Sequence, residues 1–342
     1  MKPEWKNFLI NHGAEFAGDS LISFGNPERE RRIPPQGAIL CDLSHFGLIS
    51  VSGEDAANFL QGQLTNDIRQ VTDTASQLSA YCTPQGRALA TFFITKRQGM
   101  YYLSLARDLL EPTLKRLRMY VLRSKVALED ASASLVHFGY AAPDGDKQLA
   151  DILGKVPANP YDTLQIGNLT VLRQPAAIPR FKVLGELDDA RKLWERLNVN
   201  AACVGRSSWD YFNISSGIPM VALASTEAWV PQMMNMHLIN GVSFSKGCFP
   251  GQEIVARLKY LGKSKRQMYR IGVPSCVTVP TIGTAISSSA DPEAGSILNA
   301  TRNPDGYVEA LAVLKIAQAS QRLTLGEYPV QVLELPYVLE TE

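Results

Sequence analysis

The octapeptide KGCFPGQE, residues Lys246–Glu253, is the most informative stretch of the sequence for the fold. It places Cys248 in a glycine-flanked loop, and Pro250 is typical of the first turn of a helix. A nearby ammonium group and a helix N-terminus both stabilise a thiolate. Lys246 and a helix beginning near Pro250 should therefore lower the pKa of the Cys248 thiol. The stretch predicts one reactive thiol.

Two interpretations of the residues around Cys248 stay open. In the first, the segment is only a helix start, with one surface ion pair between Glu253 and Arg257. In the second, Gly247 and Gly251 let the backbone approach a ligand. Gln252 and Glu253 would then accept hydrogen bonds from the N–H groups of a heterocycle.

The segment after this motif, Arg257–Arg266, is strongly basic and contains one aromatic residue, Tyr260. Such runs usually form a solvated face. They can also hold an anionic tail or the phosphates of an RNA, because lysine and arginine give affinity for phosphate without reading sequence. Both possibilities remain open for this chain.

The other four cysteines are expected to be small buried side chains. The five are odd in number, widely spread and never in a Cys-x-x-Cys arrangement, so neither a disulfide framework nor a zinc site is indicated. An iron–sulfur cluster usually needs about four cysteines with close spacings, and we predict no permanent cluster or metal site. These cysteines are Cys41, Cys82, Cys203 and Cys276.

The composition indicates an ordinary folded protein of two or three domains. The chain has 342 residues, 45% of them hydrophobic and 20% charged, with a formal net charge of +1. Single cores stop growing near ~250–300 residues, and balanced charge gives no argument for binding nucleic acid or membranes. No apolar run reaches the ~18 residues of a membrane span. Without a recognisable signal at residues 1–12, we expect a cytoplasmic location.

The first two thirds of the chain predict mixed helices and strands. A short amphipathic helix should bury Trp5, Phe8, Leu9 and His12. From Ala38 to Asp130, a strand at Leu48–Val51 leads to a capping box at Ser52–Asp55 and a helix. Further elements are then expected: strands at 78–82, 88–95, 101–105 and 125–128 with a helix at 109–121, followed by strands at 135–140 and 170–173 and helices at 187–197 and after Ser207-Ser208.

After Lys265 the helix signals end and short strands between Gly/Pro turns predict a small β-barrel or sandwich. The expected strands are Met268–Val273, Ile297–Thr301, Tyr307–Ile316 and Val330–Leu335.

The motif Lys246–Glu253, followed by Val255–Arg257 and Tyr260–Lys263, resembles the signature of YgfZ-type proteins, which are similar in fold to the glycine-cleavage T-protein. Further stretches resemble the family in the expected order. They are Val51–Ala56, Phe59–Asp67, Pro84–Arg87, Tyr120–Val126, Gly217–Pro219 and Val230–Gln232. The resemblance covers most of the chain and is weak at about 140–200 and in the barrel.

The resemblance implies an α+β fold with three domains around a central cavity. Two would be mixed α/β (ferredoxin-like) domains and the third a C-terminal small β-barrel. With the elements above, we expect an N-terminal lead-in at 1–35, an α+β folate-binding domain at 36–132, a second α+β domain at 133–245, and the Cys-motif helix with the barrel at 246–342.

The resemblance also implies that the cavity receives a folate, expected as tetrahydrofolate. The family's folate contacts include two aromatic residues, which map to Phe46 and Trp209. Some members have tryptophan at the first position, and Phe46 keeps the stacking face but loses the indole N–H. Core packing is the other explanation for both aromatics.

The leading functional hypothesis is an accessory protein, expected to be a monomer, that binds tetrahydrofolate and supports iron–sulfur cluster assembly or repair. Its partners would be iron–sulfur enzymes or assembly factors, and tRNA modification would be affected indirectly. Cys248 would be the key thiol.

An alternative is a folate-dependent aminomethyl or methyl transferase, which needs a carboxylic acid near the pterin. Asp67, Asp130, Asp210 and Glu253 are candidates by type. A third is a non-catalytic RNA-binding module that uses the basic run from Arg257 to Arg270, with salt-dependent tRNA binding that is lost when Lys263, Lys265 and Arg266 are neutralised.

Overall fold

The computed structural model describes residues 1–18, 20–262, 264–276 and 278–340, so Lys263 lies outside the described residues. Within these ranges the α-helices are α1 (Pro3–Asn11), α2 (Pro27–Arg32), α3 (Ala56–Gln61), α4 (Leu110–Arg118), α5 (Gly145–Leu153), α6 (Leu187–Asn198), α7 (Arg206–Ser215) and α8 (Gln252–Tyr260).

The β-strands of the first 204 residues are β1 (Glu15–Ala17), β2 (Ser20–Ser23), β3 (Ile39–Asp42), β4 (Phe46–Ser52), β5 (Gln77–Cys82), β6 (Ala88–Arg97), β7 (Met100–Ala106), β8 (Ala127–Asp130), β9 (Val136–Ala141), β10 (Thr163–Ile166), β11 (Leu169–Arg173), β12 (Arg180–Gly185) and β13 (Ala202–Val204). The later strands are β14 (Arg266–Val273), β15 (Ala285–Ser288), β16 (Gly295–Arg302), β17 (Val308–Lys315), β18 (Leu323–Leu325) and β19 (Tyr328–Leu333).

The chain divides into two compact units, each built from separate stretches of sequence. Unit 1 comprises 1–54, 70–76 and 94–209, and unit 2 comprises 55–69, 77–93 and 210–342. Two of the boundaries fall inside α-helices or β-strands, one in β6 and one in α7. The expected division into four consecutive segments, with three domains, stays a prediction.

Unit 1 is organised by a six-stranded mixed sheet in the order β10-β11-β12-β9-β3-β13, in which only the β13–β3 pair is parallel. Its main core gathers the apolar faces of α1, α5 and α6 on this sheet, with Trp5 and Trp194 at 1% and 0% exposure. Burial of such large side chains contributes most of the stabilising free energy of a core. The strand β4 pairs with β7 and β8 in the same unit.

Unit 2 contains α3, β5, the start of β6, α8 and a closed barrel. The barrel order is β14-β17-β16-β15-β18-β19, and its neighbouring strands pair in antiparallel fashion. Its interior is filled by small and branched side chains such as Ile271, Ala312 and Leu314. A six-stranded barrel has room inside only for side chains, so this barrel is a packed core rather than a ligand site.

The mixed α/β class and the C-terminal barrel are confirmed, and the expected strands and helices are present with shifts of a few residues. The prediction of a capping box at Ser52–Asp55 is wrong. Ser52 is the last residue of β4, paired with Ala127, so it cannot cap α3, and the N-cap residue Asp55 makes no capping hydrogen bond through its side chain. His12 is exposed beyond the end of α1. The serines Ser207 and Ser208 lie inside α7 rather than ahead of it.

Candidate functional site

Cys248 lies on an exposed loop in unit 2 that is fixed on both sides by buried residues. Of the five cysteines, all within the described ranges, it is the one that is exposed. Gly247 is also exposed, whereas Lys246 and Phe249 are only 5% and 7% exposed. Their burial leaves Gly247 and Cys248 as the projecting part of the loop. The loop therefore presents the thiol to solvent from a fixed base.

The ammonium group of Lys246 holds this base. Its Nζ donates to the carbonyl oxygen of Gln61 at 2.6 Å and to that of Leu64 at 2.5 Å, and it lies 5.1 Å from the centre of the Phe249 ring. Burial lowers the pKa of Lys246 to about 8, while the nearby Asp67 carboxylate opposes this change. The amine thus donates to backbone carbonyls rather than to the Cys248 sulfur, and its expected effect on the thiol pKa stays a prediction.

Gly251 joins the loop to α8 and lies against the turn at Pro84–Gly86. Its φ is +83°, and a Cβ atom there would lie 2.5 Å from the Thr83 carbonyl oxygen and 2.5 Å from the Gly86 Cα. Both atoms belong to the backbone, so neither can move aside as a side chain would. Glycine is required here because it has no Cβ and adopts positive φ without strain. The closeness fixes the direction in which α8 begins.

The stretch Phe59–Asp67 supports the other side of the loop. Thr65 Oγ1 donates to the Gly241 carbonyl at 2.8 Å, and Asn66 Nδ2 donates to the Asn240 carbonyl at 2.7 Å. These bonds hold the segment that leads into Lys246. Three stretches that are far apart in the sequence, 59–67, 84–87 and 246–253, therefore meet around Cys248 in unit 2.

The helix α8 begins two residues later than expected. Its first residue is Gln252, and Cys248 lies four residues before it, beyond the reach of the first turn. Gln252 is half-buried, while Glu253 and Arg257 are exposed. Among the described residues Glu253 and Arg257 make no ion pair, so the surface pair expected from their spacing is wrong. The Glu253 carboxylate and the Arg257 guanidinium group therefore face solvent and are available to a ligand.

Asp67, a candidate acid for transfer chemistry, is held as an anion. Its carboxylate accepts from Arg69 Nε at 2.8 Å and from Arg69 Nη2 at 2.6 Å. These hydrogen bonds lower the pKa of Asp67 to about 2. A carboxyl group with such a pKa carries almost no proton at neutral pH and is a poor proton donor. Asp130, in unit 1, pairs with Arg107 at 3.7 Å.

Phe46 and Trp209 both lie in unit 1, and each has a cation over its ring. Lys182 Nζ lies 4.8 Å from the centre of the Phe46 ring, and the Arg180 guanidinium lies 4.9 Å from that of Trp209. Trp209 also packs so tightly against Gly139 that a Cβ there would lie 2.3 Å from the indole. Both aromatics are buried. Their rings thus pack against cations, a contact that sequence reasoning did not foresee.

Sequence reasoning missed the cations themselves. Arg180 and Lys182 are 0% and 2% exposed, and Lys182 Nζ donates to Ser104 Oγ at 2.9 Å. Burial lowers the pKa of Lys182 to about 7 and that of Arg180 to about 9. The structure shows what is unusual about them: β12 is buried at every position, and it still carries two cations that are two residues apart. Buried cations on such a strand indicate a structural or binding role.

Two histidines complete this group, which we name the cationic cluster: Arg180, Lys182, His45 and His137 with the rings of Phe46 and Trp209. Burial, with a further contribution from nearby cations, lowers the pKa of both histidines well below its usual value. Within the described residues His45 Nε2 and His137 Nε2 are buried without a hydrogen-bond partner. Such atoms are rare and cost free energy unless a ligand or water reaches them.

The cationic cluster fits an anionic cofactor with a heterocycle. Folates carry glutamate carboxylates and a pterin with several N–H groups, and the cluster offers cations, neutral imidazole nitrogens and aromatic faces. For metals the result is different: in the described parts of the chain no group of three His, Cys, Asp or Glu residues is placed to bind an ion. None of the helices described there is long and apolar enough to cross a membrane.

Comparisons with known proteins agree with this architecture. A family model described as the GCVT N-terminal domain matches residues 16–197. The tRNA-modifying protein YgfZ of Yersinia pseudotuberculosis serotype IB is 30% identical over 310 residues, which cover 88% of this chain and 92% of that protein. The protein of the same name from Colwellia psychrerythraea is 32% identical over 234 residues, which cover 67% of this chain and 70% of that protein.

Among solved structures, that of the glycine cleavage system aminomethyltransferase T from Bartonella henselae matches with a TM-score of 0.76. The match covers 99% of this chain and 98% of that one, at 16% sequence identity. At this identity the likeness shows the fold and does not transfer the activity.

Proposed function

Because the chain belongs to the family of YgfZ tRNA-modifying proteins, we propose that it serves tRNA modification through a folate-related role. More specifically, it acts as a tetrahydrofolate-binding accessory protein that supports iron–sulfur cluster assembly or repair in the cytoplasm. Cys248 is its key thiol, and its effect on tRNA passes through iron–sulfur enzymes.

The observation that carries this proposal is the meeting of three separate family stretches around one exposed thiol. Lys246, Gly251 and Thr65 are held by hydrogen bonds or backbone contacts to parts of the chain that lie more than 150 residues away in sequence. A loop that only linked two elements would need no such anchoring. The arrangement is that of a reactive side chain held on a rigid base.

The folate part of the proposal rests on the cationic cluster. Lys182 and Arg180 supply positive charge for the glutamate carboxylates of the cofactor, and His45 and His137 supply hydrogen bonds for polar atoms of the pterin. Phe46 and Trp209 orient the two cations and offer apolar surface. When bound, the folate would supply one-carbon or reducing chemistry.

The iron–sulfur part rests on the isolation of Cys248. The other four cysteines are buried or half-buried, so Cys248 has no second exposed thiol with which to hold a cluster. A single accessible thiol suits transient contact with a client protein rather than permanent ligation.

A complementation experiment tests the role of Cys248. In cells lacking the native protein, Cys248→Ala is expected to fold but to lose support of iron–sulfur enzymes and of the tRNA modifications that depend on them, measured by enzyme assays and by mass spectrometry of tRNA nucleosides. Cys203→Ala, which removes a half-buried thiol in unit 1, should behave as wild type. Full rescue by Cys248→Ala would remove the thiol from the proposal.

A binding experiment tests the cofactor. Titration of the purified protein with tetrahydrofolate by calorimetry should show saturable binding that Lys182→Met weakens at least about tenfold, since a charge-assisted hydrogen bond in a buried site contributes ~1.5–3 kcal/mol. Arg191→Met is the matched control, because Arg191 also lies over a ring, that of Phe8, at 4.9 Å but outside the cluster. Equal weakening by both variants, or no binding, would contradict the assignment.

A further inference from the structure

A large cavity in unit 2 lies outside the candidate site. Its volume is about 1120 Å³, and none of the residues that line it was singled out as a folate or thiol contact. It is bordered by the end of α8, by the segment entering β14, by the end of β17 and by the C-terminal segment at Glu340. Ligand sites for small molecules usually have ~300–1,000 Å³, so the cavity can hold a ligand larger than a single ion.

The lining carries an excess of positive charge. Lys259, Lys265, Arg266 and Lys315 contribute cations, and Glu340 contributes the carboxylate. Lys265 and Arg266 make no ion pair with any residue that the structure describes. A concave surface that is lined mainly by positive charges raises the local concentration of anions.

Two of these cations are placed where they repel each other. Arg266 on β14 is directly opposite Lys315 on β17 in the antiparallel pair. Like charges in this position destabilise a sheet. Asp291 forms an ion pair with Lys315 at 2.5 Å and also interacts with the charge of Arg266, but Arg266 itself makes no ion pair in the described structure. An anion bound at Arg266 would offset the repulsion.

The cavity already accepts an anionic group of the chain. The Glu340 carboxylate lies 3.4 Å from His237 Nε2 and 3.5 Å from Lys259 Nζ. Glu340 is itself exposed, so a ligand can replace it without breaking a core. The tail carboxylate therefore behaves as an internal substitute for a ligand anion.

Another part of the lining has a different chemistry. Gln232 and His237 belong to the lining, and the atoms Gln232 Oε1 and His237 Nδ1 are buried behind it without a hydrogen-bond partner among the described residues. Burial lowers the pKa of His237, although the Glu340 carboxylate opposes this change, and the lowered pKa favours the neutral ring. In the neutral tautomer that carries its hydrogen on Nε2, which faces Glu340 at 3.4 Å, Nδ1 is an acceptor, as is Gln232 Oε1. Leu258 and Ile316 add apolar surface.

We propose that this cavity binds a nucleotide, with its phosphate at Lys265 and Arg266 and the N–H groups of its base at Gln232 and His237. The nucleotide is either free or part of an RNA, since both present the same chemistry. The site is independent of folate and of Cys248.

Binding of three probes to the full chain tests the site: adenosine 5′-monophosphate, inorganic phosphate and a single-stranded RNA of about ten adenosines. Saturable binding of the mononucleotide supports a free nucleotide, and saturable binding of the RNA alone supports a nucleotide within RNA. Arg266→Gln should weaken either at least about tenfold. Glu340→Gln should strengthen it about two- to five-fold, because the internal carboxylate no longer competes.

Arg322→Gln is the control, since it removes an exposed cation of the same unit outside the cavity. The opposite signs expected for Arg266→Gln and Glu340→Gln separate a binding effect from a loss of folding. The proposal is overturned if neither the mononucleotide nor the RNA binds, if phosphate binds as tightly as the mononucleotide, or if Arg266→Gln and Arg322→Gln have the same effect.

Discussion

The Cys248 loop in unit 2 and the cationic cluster in unit 1 use buried lysines in opposite ways. In the loop, Lys246 is bonded to two carbonyl oxygens and serves to hold an exposed side chain. In the cluster, Lys182 is itself the chemically distinctive group, beside Arg180, with its pKa lowered to about 7. The first lysine is a support and the second a candidate ligand contact. The comparison teaches that burial of a cation alone does not reveal its role.

The largest effect is expected where the loop is anchored. Gly251→Val places a branched side chain against the backbone of Thr83 and Gly86 at a residue with positive φ. We expect a loss of about 3 kcal/mol in the free energy of unfolding, measured by urea denaturation. Gly247→Ala is the control, because no atom lies within 4 Å of the added Cβ, and it should change stability by less than about 0.5 kcal/mol. Equal effects would show that the loop is not fixed at Gly251.

The second prediction concerns Lys246, which supports the loop. Lys246→Met retains the length and burial of the side chain but leaves the carbonyl groups of Gln61 and Leu64 without their donor. An unsatisfied buried acceptor costs about 1–3 kcal/mol. Urea denaturation should show this loss, and thiol-labelling of Cys248 should become faster as the loop loosens. An unchanged stability would mean that Lys246 acts on the thiol rather than on the fold.

The third prediction concerns pH and the cluster. The pKa of Lys182 is about 7 in the folded state and near 10.5 when the chain is unfolded. Between these values the unfolded chain holds a proton that the folded one has released, so this group makes stability rise with pH. Burial of the protonated Lys182 therefore costs the folded state free energy, and this cost is full below about pH 7 and decreases towards zero near pH 10.5. In Lys182→Met it is absent at every pH.

Thermal unfolding at pH 7 and pH 9.5 measures this difference. Lys182→Met should gain stability over the wild-type protein at pH 7, on the order of 1–2 kcal/mol, and the gain should shrink at pH 9.5. If the gain does not depend on pH, Lys182 is protonated in the folded state and its charge is compensated. That result would place Lys182 with Lys246 as a structural lysine.

The smallest effect on stability is expected at Cys248. Its side chain is exposed, so Cys248→Ser should change the unfolding free energy by less than about 0.5 kcal/mol. In the native protein one thiol should react rapidly with a disulfide reagent such as dithionitrobenzoate, and this fast phase should disappear in Cys248→Ser. Persistence of a fast phase would identify another accessible thiol and weaken the contrast between the two regions.

Local patterns in the sequence predicted much of the fold. Turn residues such as Pro84-Gln85-Gly86, the alternation of apolar residues in the strands, and the helical spacing of Trp5, Phe8 and Leu9 all gave the correct elements. The errors lie at element ends. Ser52 resembles a helix cap but belongs to β4, and Pro250 resembles a helix start although α8 begins at Gln252, because backbone packing on Gly251 sets the start.

The sequence by itself determined the class of fold and the family stretches and singled out Cys248 as a candidate, since these depend on residues that are neighbours along the chain. Only the tertiary structure decided which groups surround them. Lys182 and Arg180 meet Phe46 and Trp209 because pairing of strands brings distant segments together, and no local pattern encodes which partners result. The same holds for Lys246, whose ammonium group donates hydrogen bonds to carbonyl oxygens some 180 residues earlier, while its expected effect on the Cys248 thiol stays a prediction. Burial and charge at a site are properties of the packed molecule, because both depend on atoms that folding brings close.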